Sequence, residues 1–102
     1  MKYYIIGDED SVLGFGMVGV RGEIVTNQQA AEAAFKSALE DSDIGIIIIT
    51  ERAAELIRPI VDRYLFTEMF PLIVEIPDRK GPLAGKPGIR EMVNMAIGIK
   101  LS

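Results

Sequence analysis

Apolar residues along the 102-residue chain fall into short runs separated by longer amphipathic stretches. Tyr3 to Ile6 is the first run, closed by Gly7, Asp8, Glu9, Asp10 and Ser11, residue types that open helices and turns, so it predicts strand one. Val12 to Val20 continues the apolar pattern through Leu13, Phe15, Met17 and Val18. Three glycines weaken it, each by up to about 1 kcal/mol against Ala, yet it still reads as helix one. Glu23 to Val25 is a strand short enough for a sheet edge. Thr26 with Gln29 spells a capping box that opens helix two, which runs to about Glu40 with Ala31, Phe35, Ala38 and Leu39 on one stripe.

The run Ile44 to Ile49 does not alternate, the pattern of a strand covered on both faces, and predicts the central strand. Thr50 caps a third helix with Ala54, Ile57, Val61 and Tyr64 or Leu65 on its stripe; Pro59 inside it predicts a kink or an early break. Pro71 to Ile76 is strand four. Residues 79–88 hold five Gly or Pro in ten and read as a loop. From Ile89 the spacing is helical again, with Met92, Val93, Ala96 and Ile97 on the stripe and Met95 and Ile99 widening it.

Strand alternating with helix predicts an α/β fold, a parallel sheet with helices on both faces joined by right-handed crossovers. The expected architecture is a small flavodoxin-like, receiver-like domain with strand order 2-1-3-4. Residues 1–77 are expected to form the globular body, 78–88 a flexible connector and 89–102 a C-terminal helix. Ligands of such sheets bind beyond the carboxyl ends of the strands. Here that crevice would be lined by Gly7 to Asp10, Thr26-Asn27, Thr50-Glu51 and Pro77 to Lys80.

Composition narrows the chemistry. The chain has no Cys and no His, which excludes a disulfide framework, a thiol nucleophile, a Cys/His zinc site and a Ser-His-Asp triad. A net charge of −4 forgoes the counterion release that drives most nucleic-acid binding, so no nucleic-acid partner is expected. Residues 1–50 hold three basic and eight acidic side chains, against eight and seven in the remainder. No apolar run approaches a membrane span or a signal-peptide core, and the expected location is intracellular.

Three motifs invite a ligand. Gly14, Gly16 and Gly19 spell Gly-x-Gly-x-x-Gly, but a dinucleotide fingerprint needs its first Gly directly after strand one, about eight residues earlier. Asp8, Glu9 and Asp10 resemble the magnesium pocket of response-regulator receivers, yet Thr50 stands where a receiver needs a phosphorylatable Asp. Capping of helix one by Asp8 and Asp10 is the structural alternative. Arg79 and Lys80, with Lys86 and Arg90 near them, form a basic segment suited either to solvent or to an acidic docking surface. Glu75, the one charge in strand four, calls for an exposed face or a basic partner, most simply at an edge. No metal, cofactor or catalytic residue is assigned.

Taken together, Gly-Asp-Glu-Asp-Ser-Val at 7–12, Ile-Ile-Ile-Ile-Thr-Glu at 46–51, Arg63-Tyr64, Pro-Leu-Ile-Val-Glu-Ile-Pro-Asp at 71–78 and Ala96-Ile97-Gly98 resemble the F subunit of the V-type and A-type ATPases. The resemblance spans nearly the whole chain, in order. It implies a non-catalytic part of the central rotor stalk, bound to the long coiled-coil D subunit and reaching the catalytic A and B subunits of the head through its C-terminal helix. It also implies a cytoplasmic position that meets the membrane only through the complex. The regulatory element of that family matches Ile89 to Leu101, and its connector Arg79 to Gly88. Arg79, Lys80, Ile89, Met92, Val93, Met95, Ala96 and Ile99 are therefore the candidate protein-interaction residues, while Asp8, Asp10, Thr26 and Thr50 are candidate helix caps. The alternative from another class is a degenerate receiver that signals through protein contacts.

Overall fold

The computed structural model describes residues 1–78. It has four strands, β1 (Lys2–Gly7), β2 (Arg21–Ile24), β3 (Ile44–Thr50) and β4 (Leu72–Ile76), and four helices, α1 (Glu9–Gly16), α2 (Gln28–Glu40), α3 (Glu51–Leu56) and α4 (Arg58–Thr67). All strand pairs are parallel and their order is β2-β1-β3-β4. This is the α/β arrangement and strand order expected from the pattern. The expected connector and C-terminal helix lie outside the described residues.

The chain steps one way from β1 to β2 and the other way from β2 to β3 and β3 to β4. Right-handed crossovers then place α1 on one face and α2, α3 and α4 on the other. The main core lies under the second group, where Ile6, Ile47 and Ile49 meet Ala31, Ala34 and Phe35 of α2, Ala54 of α3, Ile57 at the α3–α4 junction and Val61 of α4. Phe35 also stands edge-on to Tyr64, with ring centroids 5.8 Å apart. By contrast, α1 buries no residue fully.

Helix boundaries differ from the sequence reading for identifiable reasons. Helix one begins at Glu9 rather than Val12, because Asp8 caps it through a bond from the Ser11 N–H to its carboxylate at 3.2 Å. Asp10 is not a cap: it sits in the first turn, where a negative charge suits the helix dipole. The helix stops at Gly16, and Gly19, at φ 90°, turns the chain towards β2. Thr26 does not cap α2 either. The Val25 N–H still bonds the Gly7 carbonyl, so the chain remains extended through Asn27, whose Oδ1 accepts from the Ala30 N–H at 2.8 Å. The first turn thus starts one residue later and the capping box is out of register.

Thr50 caps α3, accepting from the Ala53 N–H at 3.2 Å. The third helix divides at Ile57, and Pro59 lies in the first turn of α4, where its missing donor costs nothing. Glu75 is on an edge strand as the pattern suggested, but its partner is internal. Arg58 of α4 grips it with two bonds of 2.7 and 2.8 Å. Arg52 of α3 pairs with Asp78 at 2.8 Å just beyond the strand.

Candidate interaction surface

At the carboxyl ends of β1 and β3 the polar side chains Asp8 and Thr50 are engaged by their own helix N-termini. A Cβ on Gly7 would come within 2.6 Å of the Thr50 methyl, so β1 and β3 meet tightly where a receiver keeps its acidic pocket. Thr50 is 1% exposed and its hydroxyl is engaged by the Ala53 N–H. The Asp8 carboxylate takes the hydroxyl and N–H of Ser11. Partial burial opposes its ionisation, but those bonds and backbone amides outweigh it and hold the carboxyl below its ordinary pKa. Among the described residues no group of three or more acidic, His or Cys side chains could hold a metal. Gly14 and Gly16 belong to the last turn of α1, and a Cβ on either would meet nothing within 4 Å. Their backbone therefore does not cradle a phosphate after β1.

Apolar surface is the more distinctive feature. On α1 and its following turn, Leu13, Met17 and Val18 are exposed. A larger set lies where α4 passes into β4: Phe66 is 91% exposed and Met69 95%, with Phe70 and Leu72 also largely in solvent. This turn is well anchored. The Glu68 N–H donates to the Tyr64 carbonyl at 2.9 Å, the Thr67 hydroxyl to the Arg63 carbonyl at 2.9 Å, and the Tyr64 hydroxyl to the Pro71 carbonyl at 3.1 Å. Burial, with a smaller effect of Glu68, raises the pKa of that phenol and keeps it a donor. Pro71 is buried, and the Phe70–Pro71 peptide is cis.

Beside this turn runs a groove of about 440 Å³ between α2 and α4, floored by Phe35, Leu39, Ile60, Tyr64 and Pro71 and edged by Lys36, Arg63 and Glu68. Its α4 wall uses Ile60, Arg63, Tyr64 and Thr67, the i, i+3, i+4, i+7 ridge of one helix face. A second cleft of about 620 Å³ opens at the amino ends of β1, β2 and β3, against Met1, Tyr3, Val18, Arg21 and Ile44.

The sequence reading placed its interaction residues at Arg79, Lys80, Ile89, Met92, Val93, Met95, Ala96 and Ile99, all outside the described residues. It missed Phe66, Met69 and Phe70. The signal was available: Phe66 falls off the stripe set by Ile57, Val61 and Tyr64, and the next apolar residues come before β4 can begin.

The sequence profile of the family described as ATP synthase (F/14-kDa) subunit matches residues 4–93. The chain belongs to this family. Among relatives in it, the A-type ATP synthase F subunit of Pyrococcus furiosus is 36% identical over 106 aligned positions, which span 99% of this chain and 98% of that protein. The A-type ATP synthase F subunit of Methanocaldococcus jannaschii is 33% identical over 102 positions, 99% of each chain. The crystal structure of the V-type ATP synthase F subunit from Archaeoglobus fulgidus shares the fold, with a TM-score of 0.65 at 22% identity, covering 74% of this chain and 95% of that one. Family membership makes the chain one subunit of an ATP synthase complex. Among the described residues no helix is long and apolar enough to cross a membrane.

Proposed function

We propose that this F subunit works in the central rotor stalk of an A-type or V-type ATP synthase, as a non-catalytic part that binds the long coiled-coil D subunit. The single observation that carries the reading is full-length similarity, at 36% identity, to the A-type ATP synthase F subunit of Pyrococcus furiosus. The occupied polar groups at Asp8 and Thr50 support a contact role over a receiver-like one. In this reading residues 1–77 are a rigid docking body in the cytoplasm, 78–88 a connector, and 89–102 an arm that meets the A and B subunits of the head. A binding element biases a machine between states only by making different contacts in each, and the arm supplies that difference.

The test is assembly and turnover. Co-expressed with the D subunit, the chain should co-purify as a stable complex. Removing 89–102 should leave that complex intact but change ATP hydrolysis, or its coupling to ion movement, in the assembled enzyme. Unchanged hydrolysis and coupling after the deletion would remove the arm's role, and failure to bind the D subunit would remove the docking role.

A further inference from the structure

Side-chain alternation along the strands assigns the two faces of the sheet. Tyr4, Ile6, Ile47, Ile49 and Ile73 belong to the core under α2, α3 and α4, so Tyr3, Ile5, Ile46, Ile48, Leu72 and Val74 lie on the face that carries α1. The strand register sets these six in two rows across β1, β3 and β4, Tyr3–Ile46–Leu72 and Ile5–Ile48–Val74. None is charged. Ile5 and Ile48 are buried, whereas Tyr3 is 53%, Leu72 56% and Val74 37% exposed. A parallel sheet ordinarily has both faces covered, and this strip is bare aliphatic surface at the β4 side. The reason is width. Four strands at about 4.8 Å put the outer two about 14 Å apart, while a helix is only about 10 Å across, so α1, which lies over β1 and β2, cannot cover β4.

The chain carries its own candidate cover. Residues 79–102 lie outside the described residues, and they follow directly from the carboxyl end of β4, the strand that borders the strip. Their sequence repeats apolar residues at helical spacing, Ile89, Met92, Val93 and Ala96, with Arg90, Glu91 and Asn94 between them. Residues 89–101 wound as a helix would measure about 20 Å, against about 17 Å for the length of β4. Residues 79–88 can extend up to about 35 Å and need only climb one packed layer, roughly 10 Å. A tether this short holds the stripe at an effective concentration on the order of millimolar, ahead of a second copy at any lower concentration.

We propose that in the free chain residues 89–101 dock as a helix on the strip formed by Ile46, Leu72 and Val74, completing the layer that α1 begins. One stripe cannot face the sheet and another subunit at once, so a partner that takes hold of it competes with the chain's own sheet. The assignment goes beyond the stalk reading above and does not depend on it.

The chain has no cysteine, so Asn94→Cys, on the polar side of the stripe, gives a single attachment point for a nitroxide in the full-length protein. Paramagnetic broadening of backbone amides is then read by NMR. The amides of Ile46 to Ile48 and Leu72 to Val74 should lose at least half of their intensity, while those of Lys36 and Arg63, on the opposite face, keep theirs. Adding Leu72→Ser and Val74→Thr, with circular dichroism as the folding control, should restore the lost intensity, because both positions are exposed and only the strip is altered. Broadening centred on the groove between α2 and α4, broadening that persists in the Leu72/Val74 variant, or uniformly weak broadening would each overturn the assignment, the last leaving the strip to a different protein. A mixture of nitroxide-labelled chains with separate isotope-labelled chains should show no broadening. Broadening in that mixture would give the strip to a second copy and overturn the proposal as well. The stalk reading survives each of these failures, since binding to the D subunit decides it.

Discussion

Arg58 and Glu75 are joined by two parallel hydrogen bonds of 2.7 and 2.8 Å that tie the start of α4 to the edge strand β4. The guanidinium also reaches Glu55 at 3.1 Å and Asp62 at 3.2 Å, so one cation is shared by three carboxylates. The bonds to Glu75, aided by those to Asp62 and by the field of Glu55, more than offset partial burial and raise the arginine pKa further. Its charge is therefore constant over any working pH.

The first prediction concerns this hub. Both side chains are roughly three-quarters buried, between the surface case and the fully buried one. Arg58→Ala strands Glu75 and should cost about 2–3 kcal/mol, read as a lower urea midpoint with unchanged slope. Arg58→Lys keeps the charge but loses the two-pronged geometry and should cost about 1 kcal/mol.

Two glycines should respond to alanine in opposite directions. At Gly22 a Cβ would run into the Ile5 backbone carbonyl across the β1–β2 pair, so Gly22→Ala should destabilise by about 1–3 kcal/mol. At Gly14 a Cβ meets open space inside a helix, so Gly14→Ala should stabilise by up to about 1 kcal/mol. Thermal unfolding of the two variants checks the sign of each.

Asp8 provides a pH-dependent prediction. Its folded pKa lies below the unfolded value, so its contribution is fully present above the unfolded pKa and is lost as pH falls through the folded one. Asp8→Ala should therefore cost about 1 kcal/mol at neutral pH through the lost cap. That difference from the unaltered chain should narrow as the solution is acidified below about pH 4. A gap that stayed constant into strong acid would exclude the ionised cap.

Thr50→Val tests the cap at the end of β3. Valine preserves the shape against Gly7 but removes the oxygen that receives the Ala53 N–H in a site only 1% exposed. The expected loss is about 1–2 kcal/mol by chemical denaturation, with no change in the native far-ultraviolet spectrum.

Much of this architecture is legible in the chain because its strongest signals are periodic. The unbroken isoleucines at 46–49 suit a strand covered on both faces, and the stripe through Ala31, Phe35 and Ala38 suits a helix with one buried face. Boundaries are less legible, since they depend on three-dimensional neighbours. Thr26 and Asn27 are both good caps, and the Val25 bond to Gly7, invisible in one dimension, decides between them. Glu75 looks like an orphan in the sequence because its partner Arg58 lies 17 residues away on a different element. The exposed Phe66 and Met69 escape notice when hydrophobicity is read as burial, whereas Phe66 lies off the helix stripe and Met69 lies beyond the helix end.

The ties at the β4 edge have a mechanical consequence. A pull applied to the backbone at Asp78, just past the strand, enters along the axis of β4. Five residue pairs, from Ile46–Leu72 to Thr50–Ile76, run parallel to that pull and share the load in shear instead of peeling one at a time. Arg52 on Asp78 and Arg58 on Glu75 act as two rivets at the loaded end, passing the strain from the last strand into the helical layer.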